Sequence, residues 1–174
     1  MIQIDGLSLD CATVHQIAHG ARVSLCPDAA QRMRDNAATT PGGASVLEQK
    51  RHWLMGGFTP GLSGDALARN FILGHCAGVG APLSDTLVRA TMACRSNVLA
   101  GAKTGSRPEA AMILIAMLNQ QVHPLVPAQG SVGAAGGLAP LAHIARIACG
   151  YGELSPGLPS FTPTPKEALA LING

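Results

Sequence analysis

The sequence predicts an all-α fold on three observations. The chain of 174 residues is 47% hydrophobic but only 3% aromatic, so its apolar content comes mainly from aliphatic residues and methionine, which are typical of closely packed helices. From residue 65 onward, apolar residues recur at helical spacing. Stretches rich in glycine and proline separate these segments. The length fits one domain, residues 1–174.

The first part of the chain contains the start and stop signals of short helices. Residues 2–6 fit a short strand or a hook, and Ser8 is then the expected N-cap of a helix that ends at Gly20. Proline suits the first helical position, so we expect a second helix to begin at Pro27. That helix ends near residue 38, and the next elements are a break at 39–43, a helix over 45–54 and a loop over 56–64.

The rest of the chain predicts longer helices. Ser84 is the expected N-cap of one of them, because Leu87, Cys94 and Val98 follow it at helical spacing. The expected helices cover residues 65–80, 84–102, 108–121, 138–149 and 166–172, with extended chain over 122–131 and a proline-rich surface segment over 155–165.

Composition argues against several classes of partner. The formal net charge is +2, and basic residues are interspersed with acidic ones, so we expect no nucleic-acid surface. The longest apolar stretch, residues 110–118, is too short to span a bilayer, and the start lacks the basic region of a signal peptide. The five cysteines include no Cys-x-x-Cys pair and are expected to be buried free thiols. We therefore expect a soluble, cytoplasmic protein with no membrane partner.

Residues 130–143 carry the most specific motif in the chain. They read GSVGAAGGLAPLAH. This segment resembles the signature of the aromatic amino acid lyase family, which includes histidine and phenylalanine ammonia-lyases: Gly-Ser-Val-Gly-Ala-Ser-Gly-Asp-Leu-Ala-Pro-Leu-Ala-His. The two sequences differ only at Ala135 and Gly137. The length and contiguity of the match make the resemblance strong.

Other segments resemble the same family in the same order. They are HCAGVG at 75–80 with PLSD at 82–85, TGSR at 104–107, HP at 123–124 with Pro127, and KEALALING at 166–174. The resemblance spans nearly the whole chain but only about the first third of a typical lyase. It implies a truncated ammonia-lyase-like helical domain with glycine-rich loops.

The departures from the family pattern concern its chemistry. In the family, the Ala-Ser-Gly segment cyclises and the serine then loses water, which leaves an electrophilic methylidene-imidazolone. Ala135 has a methyl group in place of the serine hydroxyl and offers no leaving group. Gly137 replaces the family's aspartate. We therefore expect no cofactor, and no ammonia-lyase activity from this chain alone.

The family's catalytic tyrosine also has no counterpart. Its motif, Tyr-Gly-x-x-Thr-Gly-Phe-Gly, aligns with residues 52–59, HWLMGGFT. Alignment on the Gly-Phe pair places His52 at the tyrosine, whereas one deletion places Trp53 there, and both alternatives stay open. His52 is a candidate general base, since an ordinary histidine titrates near neutral pH; it could equally be a solvated residue.

The resemblance places a substrate pocket around His75, which contacts the substrate ring in the family; this histidine could equally be a satisfied core residue. Arg107 is expected to tie the glycine-rich loop or to bind an anion. Asn173 aligns with a residue that faces the cofactor, but it lies near a frayed end. The candidate catalytic residues are His52 and His75, and the candidate substrate-binding residues are His75, Trp53, Phe58, Gly133, Ala134, Ala135, Gly136, Arg107 and Asn173.

Two classes of function remain in view. The first is an enzyme that acts on a small molecule without a cofactor, by acid–base or conformational catalysis. The second is a non-catalytic or regulatory subunit, or one half of a split lyase, that binds a lyase-like partner chain. Helices over 65–80 and 84–102 are expected to present apolar faces that a homo-oligomer or such a partner would bury. His15 and His19 lack a third ligand, so we expect no metal.

Overall fold

The computed structural model describes residues 1–40, 64–130, 136–152 and 156–173, and within these ranges it is mainly helical. The helices are α1 (Cys11–Ala18), α2 (Pro27–Thr39), α3 (Gly64–Gly74), α4 (Asp85–Ala100), α5 (Pro108–Asn119), α6 (Leu138–Ala148) and α7 (Pro165–Ile172). The strands are β1 (Ile2–Ile4), β2 (Val23–Leu25), β3 (Val79–Pro82) and β4 (Pro127–Gln129). The expected helical fold class is confirmed. The helix expected over 45–54 lies outside the described residues.

Helix α5 is central because it is apolar on nearly all sides. A helix with no polar face is normally buried, and side chains such as Ile113 and Leu114 are at most 1% exposed. Burial of one such side chain contributes about 1.5–3 kcal/mol. Helix α4 packs along α5, with α1 and α2 beside this pair, while α3, α6 and α7 pack on one another. The buried side chains of these helices form one hydrophobic cluster.

Strands β1 and β2 form a small parallel sheet in which Ile2 pairs with Val23 and Ile4 with Leu25. The strand or hook expected at the start is therefore a strand, but its partner β2 was not predicted. The side chain of Asn119, at the end of α5, continues the pairing. Its Oδ1 accepts from the Val23 amide at 2.9 Å, and its Nδ2 donates to the Val23 carbonyl at 2.8 Å. This double contact attaches β2 to the central helix.

Helix α4 carries two buried arginines whose guanidinium groups cap the ends of other helices. Arg89 donates to the carbonyl of Ile17 in α1 (3.0 and 2.9 Å) and to that of Leu118 in α5 (2.9 Å). Arg95 donates from Nη2 to the carbonyl of Ala170 in α7. These carbonyls belong to the last turns of their helices, where no backbone amide of the same helix follows to bond them. A cation there also interacts favourably with the helix dipole.

The helix boundaries follow local capping signals at most ends. Ser84 caps α4, its hydroxyl accepting from the Leu87 amide, as expected. Proline occupies the first turn of α2, α5 and α7. The prediction of Ser8 as an N-cap is wrong. Asp10 caps α1 instead, because the Ser8 hydroxyl is bonded to the carboxylate of Asp5 at 2.7 Å.

The cysteines are all free, but they are not all buried as expected. Cys149 is buried, whereas Cys11 and Cys94 are exposed. Cys94 lies on the outer face of α4 between Leu87 and Val98, which are 54% and 49% exposed. That face has the helical spacing seen in the sequence, but it points away from the core. No helix within the described ranges is long and apolar enough to cross a membrane.

Candidate functional site

Strands β3 and β4 bring two distant segments of the chain together. They pair antiparallel, with Val79 opposite Gln129. Gly78 permits this approach, because a Cβ there would lie 3.1 Å from the Cβ of Pro127. Gly80 has a φ of +87°, which only glycine adopts easily. The pairing places the turn after α3 beside Gly130, where the glycine-rich motif begins.

His75 lies in that turn, directly after α3. Its Nδ1 is 2.7 Å from the carbonyl oxygen of Phe71, and its ring packs on the Phe71 ring with 4.6 Å between centroids. Because a carbonyl only accepts, this hydrogen bond assigns the ring proton to Nδ1. In the neutral ring Nε2 then carries the lone pair, and no partner for it is present among the described residues. The partly buried ring is thus oriented as a proton acceptor at Nε2.

The glycine-rich motif is described from Gly136 onward. Gly136 has a φ of +87°, and Gly137 precedes the first residue of α6 as its N-cap without a side-chain hydrogen bond. On the other side, Gly130 packs on α6, where a Cβ would lie 3.0 Å from the Cβ of Ala139. The candidate residues outside the described ranges are His52, Trp53, Phe58, Gly133, Ala134 and Ala135, so their contacts stay predictions.

Arg107 forms an ion pair with Glu167 of α7 that includes several hydrogen bonds. Its Nε and backbone amide both donate to Oε1 of Glu167 at 2.9 Å, and Nη2 donates to Oε2 at 2.7 Å. Nη2 also donates to the carbonyl of Thr162. The Glu167 side chain is 1% exposed and completes a capping box with Thr164. Arg107 thus holds α7 against the start of α5, and its expected roles of tying the glycine-rich loop or binding an anion stay predictions.

Asn173 lies at the opposite end of the same helix. It is exposed, and its backbone amide donates to the carbonyl of Leu169 as the C-cap of α7. At 1.5 Å of rise per residue, Asn173 is about 9 Å along the axis from Glu167, the partner of Arg107. The structure therefore places the two candidate residues Arg107 and Asn173 at opposite ends of α7 and not in one site.

The structure adds a polar chain that the sequence did not predict. Nδ1 of His123 lies 3.2 Å from a carboxylate oxygen of Asp85, and its Nε2 lies 3.2 Å from Nη1 of Arg89. Because guanidinium groups only donate, Nε2 accepts and Nδ1 carries the proton. The signal available in the sequence was only the His-Pro pair of the resemblance. No group of three or more metal-ligating side chains occurs within the described part of the chain.

Comparison with known proteins decides the family. The family model for aromatic amino acid lyases matches residues 59–174. The chain belongs to the aromatic amino acid lyase family. The histidine ammonia-lyase of Anaeromyxobacter dehalogenans (strain 2CP-C) is 38% identical to this lyase-family chain over 201 aligned positions, which cover 98% of the chain and 39% of that relative. The one from Alkaliphilus oremlandii (strain OhILAs) is 36% identical, with 99% and 38% covered.

Solved structures of aromatic amino acid lyases agree with the fold. Histidine ammonia-lyase from Trypanosoma cruzi superposes with a TM-score of 0.78 at 28% identity, covering 99% of this chain and 37% of the other. Phenylalanine aminomutase from Pantoea agglomerans gives 0.76 at 25% identity, with 100% and 38% covered. The family chain described here therefore spans about two fifths of the length of the relatives that it matches.

Proposed function

We propose that this chain is a lyase-family protein that acts on or binds a small molecule without the methylidene-imidazolone group. One observation carries the proposal: residue 135, where the family has the cofactor-forming serine, is alanine. The side chain has no hydroxyl to expel, so the residues present do not fit the group. Ammonia elimination through that group is therefore not part of the proposed function.

The chemistry left to the chain is proton transfer by a positioned histidine. His75 supports this role because its Nδ1 is fixed on the Phe71 carbonyl and its Nε2 lone pair is free of described partners. A general base must be held in one tautomer within hydrogen-bond reach of its substrate. The β3–β4 pairing supports the proposal because it joins the segment that follows this histidine to the segment that precedes the glycine-rich motif. The substrate class that we propose is a small amino-acid-derived or polycyclic molecule, with His52 as a second candidate base.

The intact mass of the purified chain tests the central claim. We expect the mass calculated from the sequence with no loss of water, no imidazolone absorbance, and no ammonia released from histidine, phenylalanine or tyrosine. The double variant Ala135→Ser with Gly137→Asp is the matched comparison, because it restores both residues of the family signature. A water deficit in the unaltered chain together with urocanate or cinnamate release would end the proposal.

The role of His75 needs a separate measurement. Nitrogen-15 spectra of the histidine side chains should show the Nδ1–H tautomer for His75, and a ligand in the pocket should shift its Nε2 resonance first. The signals of His75 are assigned by their loss in the His75→Gln variant, and His143→Gln is the control in which they remain. An Nε2–H tautomer for His75, or ligand binding that leaves its ring unshifted, would remove it from the proposed site.

A second candidate function is assembly with another copy or with a lyase-like partner chain. One observation favours it: Leu87, Val98 and Met112 are 54%, 49% and 51% exposed on α4 and α5, although large apolar side chains are usually covered. Light scattering after size exclusion tests this idea. We expect an oligomer, and we expect the Val98→Lys variant to dissociate. The assembly idea would be contradicted if the chain stays monomeric at high concentration and also does not bind a lyase-like chain.

A further inference from the structure

A small cavity lies between the segment before β4 and the second half of α6. Its volume is about 290 Å³, near the lower end of the range of about 300–1,000 Å³ typical of ligand pockets. The lining includes His123, Pro124, Leu125, His143, Arg146 and Ile147. None of these residues belongs to the candidate pocket around His75, so the inference does not rest on the function proposed above.

The polar side of this cavity is cationic. The side chain of Arg146 has no hydrogen bond or ion pair with any described residue, and the lining residues include no aspartate or glutamate. The charge of Arg146 nevertheless affects the pKa of two neighbouring side chains. It helps burial to lower the pKa of His143, and it opposes the effect of burial on the pKa of Cys76. A guanidinium with no carboxylate among the residues around it is a suitable recognition group for a carboxylate, because it can form two parallel hydrogen bonds to it.

The two histidines of the lining differ in what they offer. Both nitrogens of His123 are already bonded, to Asp85 and to Arg89, so this residue presents only its ring face. His143 has an enclosed Nε2 with no hydrogen-bond partner. Its Nδ1 also has no partner among the described residues, and it is the nitrogen of this ring that a ligand can reach. His143 therefore provides one hydrogen-bonding atom next to the Arg146 charge.

The remaining lining residues are mainly apolar. Pro124 is buried, Ile147 is partly buried, and Leu125 is 70% exposed at the rim. An exposed leucine beside a guanidinium without an acidic partner fits a ligand that has one charged end and one apolar end. Such a ligand would cover the leucine and pair the cation at the same time.

We propose that this cavity binds a small monocarboxylate with a compact apolar body. The carboxylate pairs with Arg146 and accepts a hydrogen bond from Nδ1–H of His143. The body lies against Pro124, Leu125 and Ile147.

Calorimetric titration of the full chain with benzoate tests the site, with benzamide and acetate as matched probes. Benzamide has the same body without the charge, and acetate has the charge without the body. We expect benzoate to bind with a Kd of about 1 mM or tighter and each of the others to bind at least tenfold more weakly. Benzamide or acetate binding as tightly as benzoate overturns the proposed ligand class.

Variants then place the binding at this cavity. Arg146→Gln should weaken benzoate binding at least tenfold, because a charge-assisted pair is lost. Arg34→Gln is the matched control, since Arg34 is exposed on α2 and its guanidinium bonds the Gln31 side chain; it should leave the Kd unchanged. Leu125→Glu adds a negative charge at the exposed rim and should also weaken binding. If Arg146→Gln does not fold, Leu125→Glu decides: unchanged benzoate affinity in either folded variant overturns the site.

Discussion

The carboxylate of Glu167 accepts hydrogen bonds from both the guanidinium and the backbone amide of Arg107. It also accepts from the backbone amide of Thr164, at 2.9 Å. One buried carboxylate thus caps α7 and joins that helix to the start of α5. Its removal should affect two helix starts at once.

The Glu167→Gln variant tests this joint role. The amide keeps the size of the side chain but loses the charge and one acceptor oxygen, so we expect the free energy of unfolding to fall by about 2–3 kcal/mol. Urea unfolding measures the change. Glu109→Gln is the control, because Glu109 is an exposed residue in the first turn of α5; its loss should cost well under 1 kcal/mol. Equal effects of the two changes would contradict the role of Glu167.

The same pair predicts how stability depends on pH. Burial acts to raise the pKa of Glu167, but hydrogen bonds from Arg107 and from the Thr164 amide together lower it below the ordinary value. A carboxylate with a depressed folded-state pKa stabilises the fold above its unfolded pKa, about 4.3, and this stability is lost as the pH falls through the folded pKa. We expect the difference between the unaltered chain and Glu167→Gln to stay constant from pH 7 to about 5 and to shrink below that. A difference that grows on acidification would contradict the assignment.

Gly6 is a position where no side chain fits. Its φ is +80°, and a Cβ there would lie 2.2 Å from the backbone nitrogen of Gly101 at the end of α4. We expect Gly6→Ala to cost more than about 3 kcal/mol or to prevent folding, since a backbone contact cannot yield as a side chain can. Gly20→Ala is the matched control, with a φ of +103° but nothing within 4 Å, and it should cost about 1 kcal/mol. Urea denaturation of both variants measures the loss in the free energy of unfolding. Similar losses for the two variants would contradict the close contact at Gly6.

Thiol alkylation should separate the cysteines by burial. Burial, aided by the charge of Glu167, raises the pKa of Cys149 to about 12, so almost no thiolate is present at pH 8. Cys11 is exposed. Peptide mapping after brief treatment with iodoacetamide should find label on Cys11 and none on Cys149. Early labelling of Cys149 would show that the core around α6 opens under native conditions.

The sequence predicted those parts of the fold that depend on local signals. Proline at the start of α2 and α5 and the Ser84 cap of α4 are decided within one helical turn, so their positions were right. The prediction of Ser8 as the N-cap of α1 was wrong because two carboxylates lie within a few residues of it. Asp5 accepts from the Ser8 hydroxyl, and Asp10 accepts from the Thr13 amide at the start of the helix. Strand β2 pairs with residues about twenty positions earlier and is fixed by Asn119, so no local pattern indicated it.

The candidate site was predictable as a motif but not as a set of contacts. The glycine-rich signature and the histidine after α3 could be recognised by residue type and order alone. The commitment of Arg107 to Glu167 depends on where α7 docks, which is tertiary information. The burial of Arg89 is similar, because an arginine in a helical pattern normally indicates a solvated face, and only the meeting of three helices gives it acceptors.

Arg89 and Arg95 bond carbonyls in the last turns of α1, α5 and α7 from a single helix, so displacement of α4 would remove hydrogen bonds from three helix ends at once. The backbone amides of those helices should therefore exchange with deuterium as one cooperative unit rather than opening by separate fraying. In this chain, which spans about two fifths of the length of its relatives, the opening of α4 would then set the exchange rate of the amides in α1, α5 and α7.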